Sequence, residues 1–261
     1  MNEEKLIKKL QGLHIAEMRF FETIGSTNEE ALQWAFIGAG DNSLVIANQQ
    51  TAGRGRGKRR WITIHGSSLA FSLILKPTKN EMLHLPLFSP LGALAVSEAA
   101  ESLCKVPAQV KWPNDVLLYG KKAAGILAES CWVEGKLESL VVGIGVNIAP
   151  ESVPPLNNLL FPATCLEIAC SKAIDRLDVL KTILENFFSL REKLGDNEFF
   201  NKWQKKLAFK GEEVYLYDDK NVTQRGTLIG VDQQGYIILK NENGQKNHFP
   251  IGDLHLRPLN H

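Results

Sequence analysis

The chain has 261 residues, 44% hydrophobic and 23% charged, with a formal net charge of +1, which is room for one large core or two unequal domains. No apolar run approaches the roughly 18 residues of a membrane helix, and the start Met1-Asn2-Glu3-Glu4-Lys5 is no signal peptide, so a cytoplasmic protein with no membrane partner is expected. Near-neutral charge argues against broad attraction to nucleic acid.

Residues 17–22 predict a strand. Ser26-Thr27-Asn28-Glu29-Glu30 then places a hydroxyl three positions before a glutamate, a capping-box start for a helix of about ten residues. Residues 43–48 and 68–75 predict buried strands, and 87–103, rich in Ala and Leu at helical spacing, predicts the longest core helix. Strands at 108–111, 116–119, 122–133 and 136–148 are divided by Pro113-Asn114-Asp115, Tyr119-Gly120-Lys121 and Glu134-Gly135, turn signals that predict a largely antiparallel ladder. A loop over 150–162 precedes helices at 163–172, 176–194 and 197–207. Short strands at 213–217, 225–231, 235–240 and 245–249, divided by Asp218-Asp219, Gln233-Gln234-Gly235 and Asn243-Gly244, predict a small barrel. The division expected is an α/β domain over 1–208 and an all-β domain over 209–261. Cys104, Cys131, Cys165 and Cys170 include no C-x-x-C pair and lack histidines at zinc spacing, so reduced, partly buried thiols are expected.

Three stretches carry chemical signal. In Gly53-Arg54-Gly55-Arg56-Gly57-Lys58-Arg59-Arg60-Trp61, five cations fall within seven residues. Glycines allow close backbone approach, successive N–H groups can cradle an anion, and arginine forks suit phosphate oxygens. The run is not a Walker A loop, because Trp61-Ile62-Thr63-Ile64 reads as extended chain where a helix should begin. Three readings stay open for it: a loop closing over a polyphosphate, a nucleic-acid patch, or a solvated charged loop.

Lys111-Trp112-Pro113-Asn114-Asp115 sets a turn beside a lysine, and Lys122 leads into Ala123-Ala124-Gly125-Ile126-Leu127-Ala128-Glu129. A lysine before small residues and a glycine can project its ammonium over a closely approaching ligand; the plainer reading is a surface hairpin lysine and a glycine bulge. In Val141-Val142-Gly143-Ile144-Gly145-Val146-Asn147-Ile148, glycines at i and i+2 strip one strand face of side chains, which suits either a ligand or a neighbouring strand.

Taken in order, Ser26-Thr27-Asn28, Gln49-Gln50-Thr51-Ala52-Gly53-Arg54-Gly55-Arg56, the Lys111–Asp115 and Lys122–Glu129 stretches and Gly143-Ile144-Gly145-Val146-Asn147 resemble the biotin–protein ligase family (biotin–[acetyl-CoA-carboxylase] ligases). The likeness is strong over about 17–148 and looser over the small C-terminal domain. It implies an α/β (α+β) mixed-sheet catalytic domain of the kind shared with lipoate ligases and class II aminoacyl-tRNA synthetases, plus a C-terminal SH3-like barrel. The reaction implied joins biotin and ATP into biotinyl-5′-AMP, with Mg2+ on the phosphates, then passes biotin to a lysine of a biotin carboxyl carrier domain. A homodimer is compatible with the resemblance.

The resemblance also distributes roles. Arg54, Arg56, Lys122 and Asp115 take the catalytic places, the three cations on the carboxylate and phosphates and Asp115 on the acceptor lysine. The biotin site draws on Ser26, Thr27, Asn28, Gln50, Gly53, Arg54, Lys122, Gly125 and Leu127, with Gly143 and Gly145 leaving room beneath the ring. Arg54, Arg56, Trp61, Asn114, Lys122, Asn147 and Arg257 take the nucleotide, Trp61 near the adenine and Arg257 reaching in from the C-terminal domain. No metal ligands are assigned.

Two departures stand out. Many members read Gly-Arg-Gly-Arg-x-Gly-Arg, whereas here Gly57 and Lys58 occupy the x-Gly places, so the loop keeps a glycine and gains a cation. Bifunctional members carry an N-terminal winged-helix DNA-binding domain, and only about sixteen residues precede the first strand here, so no operator-binding repressor activity is expected. The nearest competing enzyme is a lipoate–protein ligase, but an Arg-Arg-x-Ser-Gly-Gly-Gly segment is missing. From another class, a nucleic-acid-binding module would use the 53–61 loop and the small barrel.

Overall fold

Alternation along two long strands decides which face of the molecule carries the chemistry. In the computed structural model, which describes residues 1–57, 59–155, 161–218, 221–251 and 254–259, seven strands form one sheet in the order β1-β2-β3-β7-β6-β5-β4. They are β1 (Met18–Ile24), β2 (Ser43–Gln50), β3 (Ser68–Leu75), β4 (Ala108–Lys111), β5 (Asp115–Leu118), β6 (Lys121–Val133) and β7 (Lys136–Asn147). Only β1 and β2 are parallel; every other pairing is antiparallel.

Side chains alternate across a strand. Val142, Ile144 and Val146 of β7, and Ala124, Ile126 and Ala128 of β6, join the large core. That core is closed by α1 (Glu3–Leu10), α3 (Phe88–Cys104), α5 (Arg176–Arg191) and α6 (Asn197–Lys206). Val141 and Cys131 belong instead to a smaller cluster with Ala31, Trp34 and Ala35 of α2 (Thr27–Phe36). By the same period of two, Gly143, Gly145 and Asn147 of β7 and Gly125, Leu127 and Glu129 of β6 face the α2 side. The register Gly125↔Gly145 and Leu127↔Gly143 sets them side by side, and Ser72 of β3 pairs with Gly143. The sheet thus has one continuously packed face and one face bared at its centre.

The second sheet has the order β11-β10-β9-β8-β12 and is antiparallel throughout. Its strands are β8 (Glu213–Asp218), β9 (Asn221–Val231), β10 (Ile237–Lys240), β11 (Lys246–Phe249) and β12 (Leu254–Pro258). It docks on the first through Trp112, fully buried, whose indole N–H donates to Gly235 O at 3.1 Å, and through Gln204, whose amide donates to Val231 O at 2.6 Å.

The structure departs from the sequence reading at several places. A first helix, α1, precedes β1, burying Leu6 and Leu10; eight residues with so few apolar positions give too little periodicity to read. The helix expected over 163–172 shrinks to α4 (Leu166–Cys170), β9 starts four residues earlier than expected, and β12 was not foreseen. Part of the 150–162 loop, Lys58 and Asp219 lie outside the described residues. The capping box is not formed. Ser26 is the N-cap of α2 without a side-chain bond, and Glu30 pairs with Arg19 at 2.7 Å. The expectation of four thiols is also corrected: Cys104 and Cys170 are joined, Cα atoms 4.5 Å apart, where the ends of α3 and α4 meet, while Cys131 and Cys165 are free and buried. A pairing across 66 residues leaves no trace in local spacing. No helix among the described residues is long and apolar enough to cross a membrane.

Candidate active site

The bared face is the floor of an open-mouthed cleft. Ser26, Thr27, Asn28, Gln50, Arg54, Arg56, Trp61, Asn114, Asp115, Lys122, Gly125, Leu127, Gly143 and Gly145 all line it. Asn147 lines an adjoining lobe shared with Trp61 and Lys122. Gly53 and Arg257 line neither.

The arginine run forms a small hairpin over this floor. Gly55 N donates to Arg59 O at 2.9 Å, Trp61 N donates to Gly53 O at 3.0 Å, and Arg54 bridges Arg60 antiparallel. Gly53, expected at the biotin, closes the base of the hairpin instead. From Trp61 to Ile64 the chain forms no strand. Arg54 is paired with Glu129, and Arg59 with His255 of β12.

The two floor glycines serve side chains of the protein itself. A Cβ on Gly143 would stand 1.9 Å from Asn28 Oδ1, and one on Gly145 would stand 2.3 Å from Trp61 Cε2. Both are far inside contact distance. In this structure the space over the two glycines is taken up by Asn28 and by the Trp61 indole, a contact that no strand pattern could reveal.

At one end, a buried polar chain holds the α2 terminus to the sheet. Thr27 N donates to Gln50 Oε1 at 2.8 Å, Gln50 Nε2 donates to Thr63 Oγ1 at 3.0 Å, and Ser72 Oγ lies 2.6 Å from Asn28 Oδ1 and 2.8 Å from Thr27 Oγ1. The Asn28 amide donates to Glu129 Oε2 at 2.8 Å and Leu127 O at 3.2 Å. Ser26 Oγ and Trp61 Nε1 are both buried without a hydrogen-bond partner among the described residues. Buried polar groups are seldom left so, and two that line one cleft point to a ligand with polar groups of its own.

At the other end lies the charge. Asp115 opens β5 with one oxygen 2.6 Å from Lys122 Nζ and the other 3.3 Å from Lys111 Nζ. A register shift between Val116 and Leu117 re-aims Lys122. Its backbone is gripped from the far side, by Pro162 O accepting from Lys122 N at 2.8 Å and by Thr164 N donating to Lys122 O at 2.9 Å. Burial alone would raise the Asp115 carboxyl; Lys122 and Lys111 more than reverse that and hold it well below the usual range. Burial pushes the Lys111 ammonium down to about 8, against the pull of Asp115. Asn114 ties this turn to β6, its amide donating to Ile126 O at 2.7 Å. Arg257 stands behind the cleft, over the Phe161 ring at 5.4 Å with Lys111 over the same ring at 5.2 Å. Asn147 donates to Thr164 O at 3.0 Å.

Sequence reasoning assigned no role to Ser72, Thr63, Glu129, Lys111, Phe161 or His255. For Ser72 there was a signal: a serine midway through the apolar run of β3. Chemically, the cleft offers a polar, enclosed end, a glycine floor and a cation-lined end with an ionised carboxylate among lysines. That arrangement suits a small ligand joined to an anionic one.

Comparison with known proteins gives a consistent picture. The model of the biotin/lipoate A/B protein ligase family matches residues 20–147. The chain is 32% identical to the bifunctional ligase/repressor BirA of Bacillus spizizenii, over 93% of this chain and 79% of that protein. It is 32% identical to the biotin–[acetyl-CoA-carboxylase] ligase of Paracoccus denitrificans, over 85% and 93%. Among solved structures, the biotin protein ligase of Aquifex aeolicus in complex with biotin and ATP superposes with a TM-score of 0.80 at 30% identity, covering 94% of this chain and all of that one.

Proposed function

The chain belongs to the biotin/lipoate A/B protein ligase family, among its biotin–protein ligases, and on that premise we propose that it activates biotin as biotinyl-5′-AMP and transfers it to the lysine of a biotin carboxyl carrier domain. The observation that carries the reading is the pairing of Lys122 and Asp115 at 2.6 Å under an arginine hairpin, on a floor opposite buried Thr27, Asn28 and Ser26.

In the first step a biotin carboxylate oxygen bonds to the α-phosphorus and pyrophosphate leaves. Two anions must meet, so cations have to offset repulsion and the growing charge. Arg54, Arg56 and Lys122 line the space where that happens. Ser26, Thr27, Asn28, Gln50 and Leu127 form the polar and apolar walls for the biotin head and chain; Trp61, Asn114 and Asn147 border the nucleotide, with Arg257 behind. In the second step a lysine amine attacks the acyl carbon and AMP leaves. Asp115, kept ionised by its two lysines, is the group to orient that amine or take its proton.

Mg2+ would be carried by the nucleotide phosphates and would offset part of their charge. Among the described residues no group of three His, Cys, Asp or Glu could hold a metal, and Asp115 and Glu129 already face cations. The described residues therefore build no protein cage for it. The same reading includes a cytoplasmic enzyme, a division near residues 208 and 209, and no operator-binding activity, the last favoured because Arg54 and Arg59 of the hairpin are engaged within the molecule.

The test is ATP- and biotin-dependent labelling of a carboxylase biotin-acceptor domain, read by avidin blot. Absence of label with folded protein and a competent acceptor overturns the proposal. Activation of lipoate but not biotin would transfer the chain to the lipoate branch.

A further inference from the structure

The arginine hairpin is held from two directions. Arg54 reaches the large sheet at Glu129. Arg59 reaches the small sheet, its Nη2 lying 2.9 Å from His255 Nδ1 and closer still to Nε2, a contact between residues 196 positions apart. We infer that His255 is a positioning residue that latches the hairpin to the small sheet through Arg59, and so sets how readily the hairpin opens and how well it grips nucleotide phosphates. The kinetic half of this rests on the biotin-ligase reading.

Four observations support the latch. His255 and Arg257 flank Leu256, which is fully buried, so by strand alternation both project from the opposite face of β12, His255 to the hairpin and Arg257 to Phe161. That strand is a firm platform, paired along its length with β8 in a sheet anchored by the Trp112–Gly235 and Gln204–Val231 bonds. A hold on Arg59 is also a hold on the whole hairpin, since Arg59 O accepts from Gly55 N and the adjacent Arg60 bridges Arg54. Lastly, burial, then Arg59, Arg56, Lys111 and Arg257 around it, push the His255 imidazole down to about 4. At neutral pH it is therefore an uncharged ring with a lone pair to accept from the guanidinium.

The experiment compares wild type, His255→Ala, His255→Gln, Arg59→Ala and the double His255→Ala/Arg59→Ala, with melting temperatures recorded for each. The substrate-free full chain is nicked with trypsin, scoring cleavage after Arg54, Arg56 and Arg60; ATP KM and kcat for adenylate formation are then measured separately. Expected are roughly fivefold faster nicking and a roughly tenfold higher ATP KM in His255→Ala at little changed kcat. His255→Gln, which still offers an acceptor, restores both. The double variant is no worse in KM than either single one, as for partners in one contact. Nicking within twofold of wild type in His255→Ala overturns the latch. So do additive effects of the two alanines, or failure of His255→Gln to rescue at an unchanged melting temperature. Because nicking is scored without substrates, its outcome is independent of whether biotin is the right acid.

Discussion

The Lys122 ammonium lies 2.6 Å from one oxygen of Asp115, and the other oxygen faces Lys111 at 3.3 Å. One carboxylate thus fixes two lysines of different standing. Lys122 is partly exposed and lines the cleft, whereas Lys111 is almost wholly buried. The carboxylate therefore joins a lysine that lines the cleft to one buried behind it.

Lys122→Ala is expected to lower adenylate formation by roughly 10²–10³-fold, the usual loss when a donor to developing charge is removed. The fold should persist at reduced stability, because Lys111 still faces the Asp115 carboxylate. Pyrophosphate release, with circular dichroism as the control, checks it; activity near wild type would remove Lys122 from the chemistry.

Asp115→Asn strands two ammonium groups, and removing one partner of a buried ion pair costs about 3–5 kcal/mol. With preformed biotinyl-AMP in single turnover, transfer to the acceptor should fall further than adenylate formation does. Equal losses in both steps would reduce Asp115 to a holder of lysines.

Gly143→Ala must expel Asn28, and Gly145→Ala must expel the Trp61 indole. The first is expected to raise the KM for biotin at least tenfold, by breaking the bonds of Asn28 to Leu127 and Glu129. The second should change the Trp61 fluorescence, read against Trp61→Phe, and raise the KM for ATP instead. The opposite pattern would reverse the assignment of the two ends.

Ser72→Ala removes a fully buried hydroxyl that serves Asn28 and Thr27. Leaving such acceptors unsatisfied costs about 1–3 kcal/mol. Urea melts should show that loss, together with weaker biotin binding and an unchanged KM for ATP.

The Lys111 ammonium titrates at about 8 in the folded chain, against an ordinary value of 10.5. Across that window the unfolded chain binds the extra proton, so stability rises with pH; below it the full cost, about 3 kcal/mol, is present. Lys111→Met lacks this dependence. The stability of wild type relative to Lys111→Met should therefore improve from pH 8 to 10.5 in paired urea melts. A flat difference would mean that the lysine is not buried as a charge.

Much of the catalytic sheet could be read from the sequence because period-two alternation and turn residues are local signals, as β3 and the β4–β7 ladder illustrate. The cleft residues were likewise within reach, since glycines in a β-branched strand and clustered arginines are costly enough to demand a reason. The reason itself was not legible. Gly143 and Gly145 look alike in β7, yet one accommodates an asparagine from α2 and the other a tryptophan from the hairpin. The same limit hid the Cys104–Cys170 bridge and the Arg59–His255 contact, in which chain positions 66 and 196 apart meet. Such meetings depend on how whole elements dock. β12 was overlooked for a simpler cause: five residues ending in proline carry too little pattern.

The arginine hairpin also has a kinetic consequence. Arg54 rests on the Glu129 carboxylate and Arg59 on a neutral imidazole, on a molecule of net charge +1. Arg54 meets a carboxylate but Arg59 only an uncharged ring, so the hairpin keeps most of its positive charge, and an approaching anion meets an attractive local field on a molecule that is near neutral as a whole. Capture is then an exchange of partners at contact, in which the ligand displaces Glu129 from Arg54. Encounter rates for nucleotide should accordingly fall as ionic strength rises, while the discrimination between ligands is deferred to the moment the hairpin changes hands.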